Sequence, residues 1–160
     1  MDKTNVLLPE ELFGKYTHLG IVVKDMDSYV KNMESMFGYK VSEYSVTPDS
    51  PDKRYYGEYE DFAVKMAFIH DGKSEIEILM PIRGRSVWQD FVDTHGDGMH
   101  HLNYNVSDFD AAIAHLEAHG CKMVQCGMRS REIGCRWCYV DCTEQIGYYI
   151  EIAESRLPRD

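Results

Sequence analysis

The chain states one ten-residue phrase twice: "HLGIVVKDMD" at residues 18 to 27 returns as "HLNYNVSDFD" at 101 to 110. His18 matches His101, Leu19 matches Leu102, Val23 matches Val106, Asp25 matches Asp108 and Asp27 matches Asp110. Ordinary residue frequencies would give less than about one identity in such a window. An internal repeat limits the fold more than composition can, because each copy is a unit that must bury its open face against the other. The correspondence continues in order. "GYK" at 38 to 40 is echoed by "GCK" at 120 to 122 with a one-residue shift, and "IEI" at 76 to 78 by "IEI" at 150 to 152.

Each half reads alike in secondary structure. An apolar, β-rich run (17 to 23; 101 to 106) leads into a helix entered through Asp25 or Ser107, whose side chains can accept the free N–H groups of a first turn. The helices, about 25 to 37 and 107 to 119, end at Gly38 and Gly120, suited to a left-handed cap. Three β runs follow in each half: 40 to 46, 62 to 69 and 75 to 80, then 121 to 126, 135 to 141 and 147 to 153. Ser86 starts a short apolar helix, "SVWQDFVDTH", between the halves. The stretch "TPDSPDKRYYGEYED" is expected to be a long irregular loop.

The expected architecture is therefore α+β: one domain over 1–160, with β-α-β-β-β modules at 16–80 and 99–154 and a linker at 81–98. Together they should form a curved, half-open eight-stranded barrel around one metal site. Open sheet edges predict a homodimer.

Composition removes several classes of function. The net charge is −10, and no Lys/Arg cluster offers itself to phosphates, so no nucleic-acid partner is expected. No apolar run approaches the roughly 18 residues of a membrane span, and charges interrupt "MDKTNVLLPEELFGKY", which predicts no membrane partner and a cytoplasmic address. Five cysteines, an odd number without an export signal, read as reduced thiols. "CRWC" at 135 to 138 makes a poor zinc chelate, because residues three apart on a strand face opposite sides.

The repeat also singles out a candidate site. His18 and His101 occupy equivalent positions, as do Glu77 and Glu151. Modules folded against each other about a pseudo-twofold axis would bring all four together. Taken singly, a His at a strand start is usually structural and a Glu in a β run usually faces solvent. Glu77 and Glu151, however, lie inside the apolar words "IEILM" and "YIEIA", where an inward carboxylate needs a cation or a proton. Two imidazoles and two carboxylates suit one divalent ion with positions left for water or substrate. His100, one residue before the equivalent of His18, is expected to point to the other face.

"THLGIVVKDMD", "IEILMP", "GDGMHHLNYNVSD" and "GYYIEIAE", in that order from Tyr16 to Glu154, resemble the four ligand-bearing words of the vicinal oxygen chelate (glyoxalase/bleomycin resistance/dioxygenase) superfamily. "IEILMP" and "GMHHLNYNV" are most similar to methylmalonyl-CoA epimerase-like and glyoxalase I-like members. The resemblance implies metal ligands His18, Glu77, His101 and Glu151, with Glu151 and Glu77 catalytic. It also implies a divalent ion (Zn, Ni, Co or Mn before Fe) and a small carbonyl substrate such as a thioester. The expected chemistry is isomerase, epimerase or lyase chemistry through an enolate. The alternatives are an iron-dependent ring-cleaving dioxygenase and a non-catalytic binding protein. Where the epimerase carries a second carboxylate, on the strand before Glu77, this chain offers Lys65. Lys65, Asn103 and Arg136 are the expected substrate contacts, with Asn105, Arg129, Arg131 and Trp137 as lesser candidates.

Overall fold

A computed structural model describes residues 6–72, 74–129 and 135–155. In chain order the elements are α1 (Pro9–Phe13), β1 (His18–Val22), α2 (Met26–Phe37), β2 (Ser45–Val46), β3 (Arg54–Tyr55), β4 (Glu58–Tyr59), β5 (Ala63–His70) and β6 (Glu75–Arg83). They continue as α3 (Val87–His95), β7 (Gly98–Val106), α4 (Phe109–Ala118), β8 (Lys122–Met128), β9 (Arg136–Cys142), α5 (Thr143–Ile146) and β10 (Tyr148–Glu154). The helices begin where short polar side chains can satisfy a first turn: Asp25 accepts from Ser28 N–H, Ser86 from Gln89 N–H and Asp108 from Ala111 N–H. The second module's helix is therefore capped by Asp108 rather than Ser107.

All ten strands form one mixed sheet in the order β2-β5-β6-β1-β7-β10-β9-β8-β3-β4. The repeat is visible in that order. β1 pairs parallel with β6 and β7 parallel with β10, while β1 and β7 pair antiparallel with each other, so the modules meet along their first strands. The outer faces carry two apolar layers. Val23, Met26, Val30, Ala67, Ile69 and Ile78 pack under α2, and Val106, Phe109, Ala112, Val140, Ile150 and Ile152 pack under α4. On the inner side Val22, Phe62, Val64, Leu79, Trp88, Trp137 and Tyr139 pack together with α3, whose first turn is tied to β8 by Val87 N–H donating to the buried Gln125 side chain. The alternation of each strand thus gives α2 and α4 the convex face and leaves the concave face for a site.

The sheet has ten strands where eight were expected, and the added pair lies inside the expected loop. Arg54–Tyr55 pairs with Glu58–Tyr59 through a turn in which Tyr56 and Gly57 both take positive φ, and Arg54–Tyr55 also joins the edge of β8 opposite Cys126 and Gln125. In a flat sheet, β2 and β3 would stand eight strand spacings apart, about 38 Å. The chain from Val46 to Arg54 can span at most about 29 Å. The sheet must curl, and residues 47 to 53 strap across its open side. Lys53 pins the strap: its ammonium is buried and donates to the Phe62 carbonyl at 2.7 Å, with Asp61 at 3.4 Å. By contrast, the expected strand over 40–46 shrinks to a bridge between Val41 and Ile69 and the two residues of β2.

Candidate metal centre

Strand pairing brings the four repeat-related residues to one point. Glu77, near the start of β6, and Glu151, in the middle of β10, each lie beside the first strand of their own module. His18 Nε2 lies 3.1 Å from Oε2 of Glu77 and 3.1 Å from Oε2 of Glu151. His101 Nε2 lies 3.4 Å and 3.2 Å from the same two oxygens and 3.3 Å from His18 Nε2. All four ligand atoms fall within 4.8 Å of one another. Neighbouring ligands around a single ion with bonds of about 2.0–2.2 Å stand roughly 3.0–3.5 Å apart, so the donor set has the size of one coordination sphere.

The electrostatics agree. Burial favours the neutral form of each group, yet the mutual hydrogen bonds outweigh it. His18 is pushed up to about 10 by Glu151 and Glu77, and His101 is raised by the same pair. Burial and the neighbouring Glu151 charge would raise Glu77, but contacts with His101 and His18 hold it below the usual carboxylate range, and they do the same for Glu151. Without an ion, the two carboxylates favour the charged form of both imidazoles, so the centre tends towards balanced charge. One divalent ion bound by neutral imidazoles gives the same net charge. Oε2 of Glu77 is also buried without a well-directed hydrogen bond, which an ion at the centre would satisfy. The residues present therefore fit a divalent metal.

Above the quartet lies a cavity of about 320 Å³, within the size range of small-molecule sites. His18, Glu77, Glu151 and Asn103 form its floor; Val64, Met66, Phe68, Leu79, Trp88, Trp137 and Tyr139 form its walls; Thr47 and Pro48 of the strap, with Glu75, Met128 and Arg129, form its rim. Asn103 donates to Glu151 Oε2 at 2.9 Å and accepts from the Thr17 hydroxyl, so its amide steadies a ligand carboxylate from the cavity floor.

Two expected substrate contacts do not reach this cavity. Lys65 projects from the other face of β5 and sets its ammonium over the Tyr44 ring. Arg136 projects from the other face of β9, paired with Glu154 and Asp110 at 3.0 Å each and lying over Phe109. One physical reason covers both. Phe68 sits directly opposite Glu77 and Tyr139 directly opposite Glu151, and Lys65 and Arg136 each lie three residues earlier, an odd step that reverses the face. Trp137, an even step from Tyr139, does line the cavity, and Arg129 stands at its rim. Asn105 is exposed beyond the cavity, and Arg131 lies outside the described residues. The aromatic wall of Phe68, Trp88 and Tyr139 was not foreseen; the signal for Phe68 and Tyr139 was the cross-strand register opposite the two glutamates, while Trp88 comes from α3. Among the described residues the cysteines form no ligand cluster, and burial pushes the Cys138 thiol up, keeping it protonated.

A curled sheet of two β-α-β-β-β modules that gathers two histidines and two glutamates on its concave side defines the class of protein. Residues 17–139 match the sequence profile of the Glyoxalase/Bleomycin resistance protein/Dioxygenase superfamily, and the chain belongs to that superfamily. No curated protein sequence matches it. Among solved structures, the fold is similar to methylmalonyl-CoA epimerase from Mycobacterium tuberculosis, with TM-score 0.67, 21% identity and 94% of each chain covered. It is similar to a hypothetical protein from Bacillus halodurans, with TM-score 0.64, 23% identity and coverage of 91% of this chain and 97% of that one. It also resembles a Streptomyces coelicolor methylmalonyl-CoA epimerase variant in complex with 2-nitronate-propionyl-CoA, with TM-score 0.63, 21% identity, and 91% and 99% covered. At these identities the likeness establishes the fold.

Proposed function

We propose that the protein is a divalent-metal-dependent isomerase or epimerase that removes a proton next to the carbonyl of a small substrate, with an acyl thioester as the leading substrate class. The observation that carries this reading is the His18, Glu77, His101 and Glu151 quartet, Glu77 and His101 buried and the other two partly so, at the floor of a mainly apolar cavity. The complexes of similar fold that hold CoA esters support the thioester.

A divalent ion bound by the quartet would supply a Lewis acid for the substrate carbonyl oxygen, stabilising charge that develops as the neighbouring C–H ionises. Glu151 is the general base: its carboxylate opens on the cavity and is held by Asn103. Glu77 is the more enclosed of the two carboxylates, its side chain 8% exposed against 13% for Glu151, and remains a ligand throughout. Phe68, Trp88, Trp137 and Tyr139 limit water around the carbon that loses its proton, so the proton that Glu151 takes would be given back by Glu151 to a different substrate atom, which yields an isomer.

The test is elemental analysis of the purified protein beside His101→Ala and Glu151→Ala, followed by ¹H NMR of acyl thioesters incubated with the protein in deuterated water. About one equivalent of Zn, Ni, Co or Mn, lost in both variants, with exchange of the proton next to the carbonyl, is expected. Iron with oxygen consumption would replace this reading by a dioxygenase. Absence of metal after addition of each ion would replace it by a binding protein.

A further inference from the structure

His100 does not point away from the site. In the β1/β7 pairing Gly20 stands opposite His101 and Ile21 opposite Met99, with a register shift between them, so His100 is the extra residue of a β-bulge. Bulges re-aim side chains, and here the ring comes round beside its neighbour: Nδ1 of His100 lies 3.0 Å from Nδ1 of His101. Both rings are fully buried. The His100 ring is locked in place, stacked on Tyr149 at 4.8 Å with an interplanar angle of 16°, and met edge-on by Phe91 and Tyr139.

We propose that His100 is a positioning residue that fixes the ring nitrogen through which His101 serves the metal centre. This rests on the metal reading of the quartet. His101 presents Nε2 to His18, Glu77 and Glu151, and a neutral imidazole that offers a lone pair at Nε2 must carry its proton on Nδ1. The group facing that proton is Nδ1 of His100, which must accept. A neutral His100 then carries its own proton on Nε2, a buried atom without a well-directed hydrogen bond, although the ring also meets the Val87 backbone. A poorly satisfied buried donor is unfavourable. A phenylalanine would fill the same aromatic slot without that cost, but it would leave the His101 N–H with no acceptor. The second histidine of "HH" therefore supplies the ligand, and the first holds its tautomer and ring angle, the role outer-shell acceptors play for metal-bound histidines.

The test compares wild type, His100→Phe and His100→Asn, whose amide oxygen can replace the Nδ1 acceptor. Zn²⁺ affinity is measured by competition with a chromophoric chelator, thermal unfolding of the metal-free proteins by circular dichroism, and histidine tautomers in the Zn²⁺-loaded wild type by long-range ¹H–¹⁵N correlation spectra. His100→Phe is expected to lose about 10–100-fold in Zn²⁺ affinity while the metal-free protein still unfolds in one cooperative transition. His100→Asn should recover most of that loss, and the spectra should show His101 protonated at Nδ1. Unchanged affinity in His100→Phe, or His101 protonated at Nε2, would overturn the assignment while leaving the metal centre standing. Wild type that takes up none of Zn²⁺, Ni²⁺, Co²⁺ and Mn²⁺ would overturn both.

Discussion

The two modules place the same candidate ligands on equivalent strands, yet His18 and His101 do not live in the same surroundings. Across the β1/β7 seam, His18 faces Asn103 and His101 faces Gly20. Gly20 and Asn103 are themselves repeat-mates, two residues after each histidine. A Cβ at Gly20 would fall inside the His101 ring, so the missing side chain is the space that ring occupies. In the other copy the space is filled by an amide that reaches Glu151. The outcome is one histidine with no exposed side-chain surface and one that is 12% exposed on the cavity floor. The two copies have diverged in opposite senses: the first keeps its histidine open to the cavity and encloses its glutamate, and the second sinks its histidine and opens its glutamate.

The comparison breaks most sharply at Gly20. Gly20→Ala should abolish metal uptake and lower stability by ~1–3 kcal/mol through overpacking, read by elemental analysis and denaturant unfolding. Asn103→Ala, the change at the equivalent place, should spare the ligand geometry and lower metal affinity only about 10-fold, measured by chelator competition.

Acidity sharpens the same contrast. The His18 pKa is raised from 6.5 to about 10, so in the metal-free protein its stabilising contribution is complete below pH 6.5 and fades as pH rises towards 10. The Glu77 carboxylate is lowered from 4.5, so its contribution is present above that pH and is lost in acid. Chelated protein should therefore lose melting temperature from neutral to alkaline pH, and the metal-loaded protein should not. Uptake of one ion near neutral pH should release the proton held by His18, which titration calorimetry in buffers of different ionisation enthalpy would detect. The smallest effects belong to the convex face. Lys65→Met and Arg136→Met should leave metal affinity unchanged, and the second should cost no more than about 1 kcal/mol, as exposed ion pairs do.

Those last two residues show where the sequence stopped being legible. His18, Glu77, His101 and Glu151 could be read because duplication marks equivalent positions without any knowledge of register. Lys65 and Arg136 required the register itself: only the pairing of Phe68 with Glu77 and of Tyr139 with Glu151 reveals that a step of three turns them outward. The same holds at His100, where strict alternation predicts the opposite face and a single bulge reverses it. The β-α-β-β-β order was legible from apolar runs and helix caps. The hairpin at Arg54–Tyr59 was not, since its two-residue strands take their partner from the far module and carry too little pattern of their own.

That hairpin also orders events in time. Arg54 and Tyr55 find their ladder on Cys126 and Gln125, so while the chain is being synthesised the strap leaves the first module before its anchoring strand exists. Pairings between residues so distant in sequence are slow to form, and an apolar concave surface waiting for them is open to wrong partners. The first module thus remains unfinished until the second emerges, and a protein truncated after β7 would retain every ligand except Glu151 but have no place to fasten the closure of its own cavity.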